Sequence, residues 1–225
     1  MSTLRSIGII MDGNRRWAKE RGLETLEGHK AGAEKIFEIV RWAHEAEVQE
    51  VILYAFSTEN WNRAEEEVGY LMRLAGKLFT EQLPRFKESG AKLRFIGDLS
   101  RASERIQSMI KKAEEETKDG AKGTLVFAFS YGGRPEILAA INELLKEGKE
   151  SVGEEEFSGT LWSAGLLDPD LILRTGGERR LSNFLPWQSV YSELFFTDTK
   201  WPDLSREEFD AVLAEYHERE RRHGK

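Results

Sequence analysis

Apolar runs of strand length alternate along this chain with stretches of helical periodicity, and this alternation constrains the fold more than any other feature. The predicted strands cover residues 7–11, 51–56, 93–96, 125–129 and 171–173. Helical segments between successive strands are typical of an α/β fold with a largely parallel central sheet flanked by helices on both faces. Because 225 residues suit one domain of this class, we predict a single domain over residues 1–225.

Two of the predicted helices carry apolar stripes. The stripes are Ala33, Ile36, Phe37 and Val40 in the first helix, and Val68, Leu71, Met72, Ala75, Leu78 and Phe79 in the second. Helical spacing alone favours ordinary packing against the sheet. A hydrophobic tunnel between the sheet and these helices is the alternative. A third amphipathic helix is predicted from Ser205, with Glu208 completing a capping box.

Charge and composition exclude several classes of protein. A net charge of −7 predicts no nucleic-acid partner, because binding to phosphate backbones needs an excess of Lys and Arg. The chain has no cysteine, which excludes disulfides and thiolate chemistry. The first apolar run is short and ends at Asp12, which predicts a core strand rather than a signal peptide. No stretch approaches the roughly 20 apolar residues that span a bilayer, so we expect a cytoplasmic protein that meets any lipid from the water side.

The segment after the first predicted strand is the first candidate site, because ligands of open parallel sheets bind beyond the carboxyl ends of the strands. Its sequence is Asp12-Gly13-Asn14-Arg15-Arg16-Trp17. Glycine lets a ligand approach the backbone closely, and adjacent arginines supply charge-assisted donors to an oxyanion. Taken alone, however, Asp-Gly-Asn more often forms a turn or a helix cap.

The segment after the second predicted strand is densely polar. It reads Ser57-Thr58-Glu59-Asn60-Trp61-Asn62-Arg63. Buried polar groups need hydrogen-bond partners. The residues therefore form either a capping network for a helix beginning near Glu65 or a wall around a polar substrate head.

The segment after the fifth predicted strand is the strongest candidate for a diphosphate clamp. Residues 174–182 contain three arginines, two glycines and a serine. One guanidinium group can donate two hydrogen bonds to the oxygens of a phosphate group. A surface charge run is the alternative, which the adjoining apolar residues 184–187 make less plausible. From residues alone the chain is predicted to be an α/β enzyme for phosphorylated, partly apolar ligands, with or without a divalent metal. Neither the Walker pattern nor the dinucleotide glycine fingerprint occurs.

Glu193 is a separate candidate because it stands in an apolar stretch, Tyr191-Ser192-Glu193-Leu194-Phe195-Phe196. A buried carboxylate needs a cation or a donor beside it. Lone acidic residues in such places are nevertheless more often exposed.

Six motifs, in order along nearly the whole chain, closely resemble the undecaprenyl diphosphate synthase family of cis-prenyltransferases. They are Ile10-Met11-Asp12-Gly13-Asn14-Arg15-Arg16-Trp17-Ala18, Gly28-His29-Lys30-Ala31-Gly32, Tyr54-Ala55-Phe56-Ser57-Thr58-Glu59-Asn60-Trp61-Asn62-Arg63, Tyr131-Gly132-Gly133-Arg134, Leu173-Arg174-Thr175-Gly176-Gly177-Glu178, and Arg180-Leu181-Ser182-Asn183-Phe184-Leu185 with Trp187. The resemblance implies an enzyme that extends an allylic diphosphate with isopentenyl diphosphate and uses Mg²⁺. It also makes the tunnel the favoured interpretation of the apolar stripes.

The resemblance implies roles for particular residues. Asp12 matches the catalytic aspartate that holds Mg²⁺, and Glu193 matches a second acidic metal contact, which in dimers of this family can come from the partner subunit. Residues matched to the pocket for the allylic diphosphate are Gly13, Asn14, Arg15, Arg16 and His29. Residues matched to the clamp on isopentenyl diphosphate are Arg174, Arg180 and Ser182. The motifs further predict substrate contacts for Trp17, Ser57, Thr58, Glu59, Trp61, Arg63 and Leu181.

Asn60 matches a residue assigned to proton handling, but an amide is a poor base, so we expect it to orient substrate while a diphosphate oxygen takes the proton. Thr25 stands where the family usually has arginine, which removes one cationic contact to the allylic diphosphate. Arg222-His223-Gly224 resembles a C-terminal motif thought to complete the partner's site, so a homodimer is expected.

The function implied is elongation of farnesyl or geranylgeranyl diphosphate by successive cis condensations with isopentenyl diphosphate. The product would be a long-chain polyprenyl diphosphate for lipid carrier synthesis, released by peripheral contact with a membrane. One alternative is a non-catalytic accessory subunit of a heteromeric enzyme. Another is a phosphohydrolase with Asp12 as nucleophile.

Overall fold

A six-stranded sheet forms the centre of the computed structural model, which describes residues 4–219. The strands are β1 (Ser6–Ile10), β2 (Glu50–Ser57), β3 (Lys92–Ile96), β4 (Thr124–Tyr131), β5 (Leu171–Arg174) and β6 (Glu193–Phe196). All neighbouring strands pair in parallel. The prediction of a largely parallel sheet is therefore confirmed, and the five predicted strands differ from the observed ones by at most two residues at either end. The short edge strand β6 was not predicted.

Eight α-helices connect and cover the strands within residues 4–219. They are α1 (Asn14–Glu20), α2 (Thr25–Glu45), α3 (Glu65–Thr80), α4 (Leu83–Ser89), α5 (Glu104–Thr117), α6 (Gly133–Lys146), α7 (Glu154–Thr160) and α8 (Arg206–Glu218). Across this part of the chain, none of the helices is long and apolar enough to cross a membrane.

The sheet is buried on both faces, which is why its strands are continuous apolar runs. Alternate residues of a strand point to opposite faces. Ile9 accordingly joins the larger core, formed with α2 to α5 and α8, while Ile10 joins a smaller core around Phe184.

Strand order brings the candidate segments together. The order is β3-β4-β2-β1-β5-β6, so β2, β1 and β5 lie side by side at the centre of the sheet. In a parallel sheet the carboxyl ends of neighbouring strands meet at one edge. The residues that follow β1, β2 and β5 therefore share that edge.

The predicted start of the last helix is confirmed. The Ser205 hydroxyl accepts a hydrogen bond from the backbone N–H of Glu208 (3.2 Å), and the Glu208 carboxylate accepts one from the N–H of Ser205 (3.4 Å). Such reciprocal bonds satisfy two N–H groups that a helix start leaves free. Glu208 also accepts from the Thr199 hydroxyl (2.5 Å), which fixes α8 against the segment after β6.

Glu50, the first residue of β2, is a buried carboxyl far from the candidate segments. It accepts hydrogen bonds from the N–H of Leu167 (3.0 Å) and the hydroxyl of Ser6 (3.4 Å). Burial raises the pKa of Glu50 from 4.5 to about 7, against the opposing effect of the Leu167 N–H. The folded protein therefore binds a proton here more tightly than the unfolded chain does.

We expect the wild-type protein to lose stability relative to Glu50→Gln as the pH rises through about 7. The raised pKa makes the stabilisation fully present below 4.5 and lost above the folded pKa, with a slope of at most about 1.4 kcal/mol per pH unit. Urea unfolding of both proteins between pH 5 and 8 measures the difference in free energy of unfolding. A difference that stays constant over this range would contradict the assignment.

Candidate active site

Asp12 lies directly after β1 and is the centre of the site. One carboxylate oxygen accepts a hydrogen bond from Arg174 (2.9 Å), and the other accepts from the N–H of Gly13 (2.6 Å) and lies 3.2 Å from the guanidinium of Arg16. Burial raises the pKa of Asp12, but the hydrogen bond and charge of Arg174, with Arg16 and the Gly13 N–H, outweigh burial and hold the pKa below its ordinary value. Asp12 is thus an anion fixed by the segments after β1 and β5.

The backbone around Asp12 is held by two other segments, those after β5 and β6. The carbonyl of Asp12 accepts hydrogen bonds from the N–H of Trp201 (3.0 Å) and the hydroxyl of Thr175 (2.8 Å). Gly13 has a φ of 105°, and a Cβ at this position would lie 2.9 Å from Cβ of Lys200. Glycine is needed here because other residues rarely adopt this conformation and would also clash. The segment Asp-Gly-Asn therefore forms the turn that leads into α1, and its three residues also line a cleft.

Arg174, at the end of β5, arranges the segment predicted to be the clamp. Its side chain is only 5% exposed, and it donates to Asp12, to the Ser182 hydroxyl (2.7 Å) and to the carbonyl of Arg180. Its Nε–H is buried and has no acceptor among residues 4–219. Arg180, by contrast, is 60% exposed and pairs with Glu178. The structure therefore brings Arg174, Arg180 and Ser182 together as predicted, with Arg174 inside the clamp and Arg180 at its mouth.

A cleft of about 620 Å³ opens beside this clamp. It lies between the ends of β1, β2 and β5. Its polar lining consists of Asp12, Tyr54, Ser57, Glu59, Asn60, Arg63, Arg174, Arg180, Ser182 and Asn183. Tyr54 and Asn183 were missed by the sequence analysis as site residues. Asn183 donates to Glu59 (3.1 Å) and accepts from the N–H of Arg134 (2.9 Å), which anchors the clamp segment to its neighbours.

A second cleft, of about 740 Å³, lies on the other side of Asp12. It lies along α1 and the start of α2. Its polar and glycine lining consists of Asp12, Gly13, Asn14, Arg15, Arg16, Lys19, Glu24, Thr25, His29 and Arg63. Asp12 and Arg63 line both clefts, so two basic clefts meet at one carboxylate.

The segment after β2 forms a 3₁₀ turn, Thr58–Asn62, with a capping box of its own. The predicted capping network for the helix near Glu65 is wrong, because α3 begins after Ala64 without a side-chain cap. The side-chain oxygen of Asn60 accepts from the N–H of Ser57 (3.0 Å), as in a capping box, and both residues still line the cleft. Thr58 donates to Glu59 (3.3 Å). Since the amide oxygen of Asn60 is already bonded to the backbone, the group is held in one orientation.

Two tryptophans predicted to contact substrate make structural contacts. The indole N–H of Trp17 donates to Asp203 (2.6 Å), and that of Trp61 donates to the hydroxyl of Ser130 (3.0 Å). Leu181 packs against the smaller core of the sheet. Substrate contacts of these three residues remain predictions.

Glu67 is a charged residue of the site that the sequence analysis missed. It lies in the first turn of α3, and its carboxylate contacts His29 (3.3 Å) and Arg63 (2.9 Å). Burial lowers the pKa of His29 against the opposing contact with Glu67, and Arg63 and Arg15 lower it further. Glu65, Glu66 and Glu67 form one acidic run, which is ordinary at a helix start, so no sequence signal marked the third of them.

An apolar cavity lies behind the second cleft and shares Met11, Asn14 and His29 with it. Its helix-borne lining includes the predicted stripe residues Ala33, Ile36, Leu71, Ala75, Leu78 and Phe79. Phe37 was a wrong choice for this lining, because its ring stacks on Phe86 of α4 with centroids 4.6 Å apart. The cavity measures about 90 Å³, less than the roughly 150 Å³ of an engineered apolar cavity that holds benzene. A long apolar tail is therefore larger than this cavity.

Glu193 lies away from Asp12 within one chain. Glu193 is the first residue of β6 and pairs with Leu171, the first residue of β5. Arg174, where the clamp begins, lies three residues farther along β5. Glu193 therefore lies about 10 Å behind the start of the clamp, near the amino ends of the strands. Its carboxylate pairs with Arg219 (2.9 Å). Glu193 and Asp12 of one chain are thus too far apart to bind the same metal ion. That Glu193 of a partner subunit binds the metal ion at Asp12 remains a prediction. Residues 222–224 of the predicted C-terminal motif lie outside the described residues.

The fold and site together define a class of protein. Two basic clefts meet at a fixed carboxylate on the carboxyl edge of a parallel sheet. An apolar cavity shares Met11 with both clefts, and Asn14 and His29 with the second cleft alone. Such a site suits an enzyme that holds two anionic head groups side by side, one of them with an apolar tail.

Comparison with known proteins specifies the family. Residues 10–224 match the family model described as putative undecaprenyl diphosphate synthase. The isoprenyl transferase of Fusobacterium nucleatum is 45% identical over 98% of this chain and 95% of its own length. That of Thermotoga maritima is 42% identical over 97% of this chain and 95% of its own length. The chain therefore belongs to the undecaprenyl diphosphate synthase family and is a cis-prenyltransferase.

Solved structures agree with this assignment. Lavandulyl diphosphate synthase from Lavandula x intermedia, solved with dimethylallyl diphosphate, superimposes with a TM-score of 0.93 at 31% identity over 99% of each chain. A probable undecaprenyl diphosphate synthase from Campylobacter jejuni superimposes with a TM-score of 0.86 at 34% identity over 100% of each chain.

Proposed function

We propose that this enzyme extends farnesyl or geranylgeranyl diphosphate by successive cis condensations with isopentenyl diphosphate, giving a long-chain polyprenyl diphosphate for lipid carrier synthesis. The observation that most supports this function is the meeting of two basic clefts at Asp12. A reaction between two diphosphates needs such an arrangement, because both head groups must be held while their reacting carbons approach each other.

The position of the apolar cavity supports an assignment of the two substrates to the two clefts. The cavity adjoins the cleft of Arg15, Arg16 and His29, so the allylic diphosphate, which has the long tail, is assigned to this starter cleft. Isopentenyl diphosphate is assigned to the extender cleft beside Arg174, Arg180 and Ser182. Thr25, which stands in place of the family's usual arginine, lines the starter cleft and supplies no positive charge. Lys19 lines the same cleft and supplies one positive charge.

The mechanism is electrostatic. The allylic C–O bond breaks, diphosphate leaves with the electron pair, and the isopentenyl double bond attacks the cation-like carbon. Arg16, which lines the starter cleft beside Asp12, stabilises negative charge as it develops on the leaving group. The new cation then loses a proton to a diphosphate oxygen, while Asn60 orients the isopentenyl group.

The side chains also fit a magnesium ion bound with substrate. Mg²⁺ is usually held by one or two carboxylates together with substrate phosphates. Asp12 supplies one carboxylate where the clefts meet, and residues 4–219 contain no group of three or more His, Cys, Asp or Glu suited to a metal. When bound, the ion would offset charge on the departing diphosphate.

The test is to incubate the purified chain alone with isopentenyl diphosphate, Mg²⁺ and each starter, and to separate the products by chromatography. Elongated diphosphates are expected from this protein by itself. Absence of product unless a second protein is added would instead favour an accessory subunit. Release of inorganic phosphate without elongation would favour a phosphohydrolase. Both alternatives are less well supported, because Asp12, Arg174, Arg180 and Ser182 form a connected site.

A homodimer is the proposed assembly, in the cytoplasm with peripheral membrane contact for product release. Leu138, Ile141 and Leu145 are exposed along one side of α6, and Val190 and Leu194 are exposed at or near β6. Exposed apolar groups of this kind are typical of interfaces.

We expect the double variant Leu138→Glu, Leu145→Glu to be monomeric, because charges on both apolar positions would oppose burial of this helix face. Light scattering after size-exclusion chromatography measures the molar mass of the variant and of the wild type. A variant that remains dimeric would exclude α6 from the interface.

A further inference from the structure

The clamp segment contains a stretch of backbone in an unfavourable conformation. Ser182, Asn183 and Leu185 have φ angles of 49°, 66° and 50°. This left-handed region is rare for residues other than glycine, although asparagine adopts it more readily than most. Such a conformation persists only where the surrounding structure holds it. The hydroxyl of Ser182 in the extender cleft therefore depends on contacts that fix the backbone from which it projects.

Tyr54 supplies such a contact from β2, two strands away from the strand that leads into the clamp. Its hydroxyl lies 3.3 Å from the carbonyl oxygen of Ser182 and 3.2 Å from that of Tyr131, so one proton is shared between two acceptors. The ring of Tyr54 also stacks on Phe184, with centroids 4.7 Å apart. Tyr54 thus contacts the strained stretch at two of its residues.

We propose that Tyr54 is a positioning residue for isopentenyl diphosphate, because its hydroxyl holds the backbone of Ser182 and so directs the Ser182 side chain into the extender cleft. This inference rests on the proposed function of that cleft. Tyr54 acts through Ser182 and does not itself bind the diphosphate.

Arg174 holds the other end of the same residue. It donates a hydrogen bond to the hydroxyl oxygen of Ser182 (2.7 Å), whereas Tyr54 donates to the carbonyl oxygen. A hydroxyl that accepts one bond can still donate its proton, and a diphosphate oxygen in the cleft is a suitable acceptor. The two bonds together fix both the position of Ser182 and the direction in which its proton is offered.

Donation by Tyr54 requires its phenol to remain protonated. Burial and the charge of Glu59 raise the pKa of Tyr54, and these effects outweigh the contacts with Ser57 and Arg174 that lower it. The phenol is therefore a donor throughout the neutral pH range.

A direct bond from Tyr54 to the diphosphate is the alternative, since Tyr54 lines the extender cleft. The carbonyls of Tyr131 and Ser182 already accept the phenol proton, however, and a bond to substrate would leave both of them without it. The observed contacts thus favour positioning.

The first test is steady-state kinetics of Tyr54→Phe, which removes the hydroxyl and keeps the ring on Phe184. We expect KM for isopentenyl diphosphate to rise about tenfold, as for the loss of one hydrogen bond. KM for the starter and kcat should each change less than about threefold. Tyr70→Phe is the matched control, because its hydroxyl also donates to a backbone carbonyl, that of Leu26 (3.2 Å), outside the extender cleft. An unchanged KM in Tyr54→Phe, or an equal rise in Tyr70→Phe, would overturn the proposal.

The second test is a double-mutant cycle with Ser182→Ala, which removes the hydroxyl and keeps the carbonyl. In this background Tyr54→Phe should raise KM for isopentenyl diphosphate less than about twofold, because no hydroxyl remains to be directed. A full tenfold rise in both backgrounds would show that Tyr54 acts on the substrate directly, and the positioning role would be wrong.

The third test separates this proposal from the proposed function. Calorimetry measures binding of isopentenyl diphosphate to each folded protein in the presence of Mg²⁺ and a thio-diphosphate analogue of farnesyl diphosphate, which cannot ionise readily. If the wild type neither binds isopentenyl diphosphate nor elongates a starter, the proposed function fails. If the wild type does both and Tyr54→Phe binds isopentenyl diphosphate equally well, only the role of Tyr54 fails.

Discussion

Asp12→Asn is expected to lower kcat by about a thousandfold or more while the protein remains folded, and Asp12→Ala to abolish turnover. The asparagine oxygen can still accept the hydrogen bond from Arg174, but the amide NH2 cannot accept the one from the N–H of Gly13. The change therefore removes one hydrogen bond and the negative charge where the two clefts meet. Loss of one preorganised electrostatic group at a reacting centre typically costs two to three orders of magnitude. Loss of the carboxylate that would hold Mg²⁺ adds to this effect.

Single-turnover kinetics with labelled isopentenyl diphosphate measures the change, and circular dichroism checks the fold. Asp210→Asn is a suitable control, since Asp210 is an exposed residue of α8 that pairs with Arg206. An Asp12→Asn enzyme within tenfold of the wild-type rate would contradict the role given to this carboxylate.

Arg174→Lys is the change with the next largest expected effect, because one guanidinium binds three acceptors. Its donors reach Asp12, Ser182 and the carbonyl of Arg180. A lysine ammonium keeps the charge but cannot match this planar set of bonds. We expect kcat/KM for isopentenyl diphosphate to fall at least about a hundredfold, and Arg174→Ala, which removes a buried partner of Asp12, to lose about 3 kcal/mol of stability.

The matched control is Arg179→Lys, an exposed arginine of the same segment. Kinetics with varied isopentenyl diphosphate and urea unfolding together measure both effects. If Arg174→Lys and Arg179→Lys behaved alike, the buried guanidinium would not be the centre of the clamp.

Local sequence determined the five predicted strands, because a strand buried on both faces must be continuously apolar. It also determined the start of α8, since a capping box involves residues only three positions apart. β6 escaped prediction because it has four residues and lies at the edge of the sheet, where burial is incomplete.

Site residues were predictable where a motif concentrates them after one strand. Asp12, Arg174, Arg180 and Ser182 were predicted in this way, and their contacts link the segments after β1 and β5. Glu67 was not predicted to lie in the site, because its place there depends on a contact with His29, which lies 38 positions earlier in the chain. Phe37 was misassigned because helical spacing shows which residues share a face but not which neighbour covers it.

The sequence by itself thus determined the class of fold, the positions of its main strands along the chain and the chemical character of the segments that follow them. These features depend on apolar patterning and on residues near one another in the chain. Only the tertiary structure decided that the clefts meet at Asp12, that the apolar cavity shares more of its lining with the second cleft, and that Glu193 lies near the amino ends of the strands, away from Asp12. Strand order and register decide these placements, and they arise from packing between residues distant in the chain.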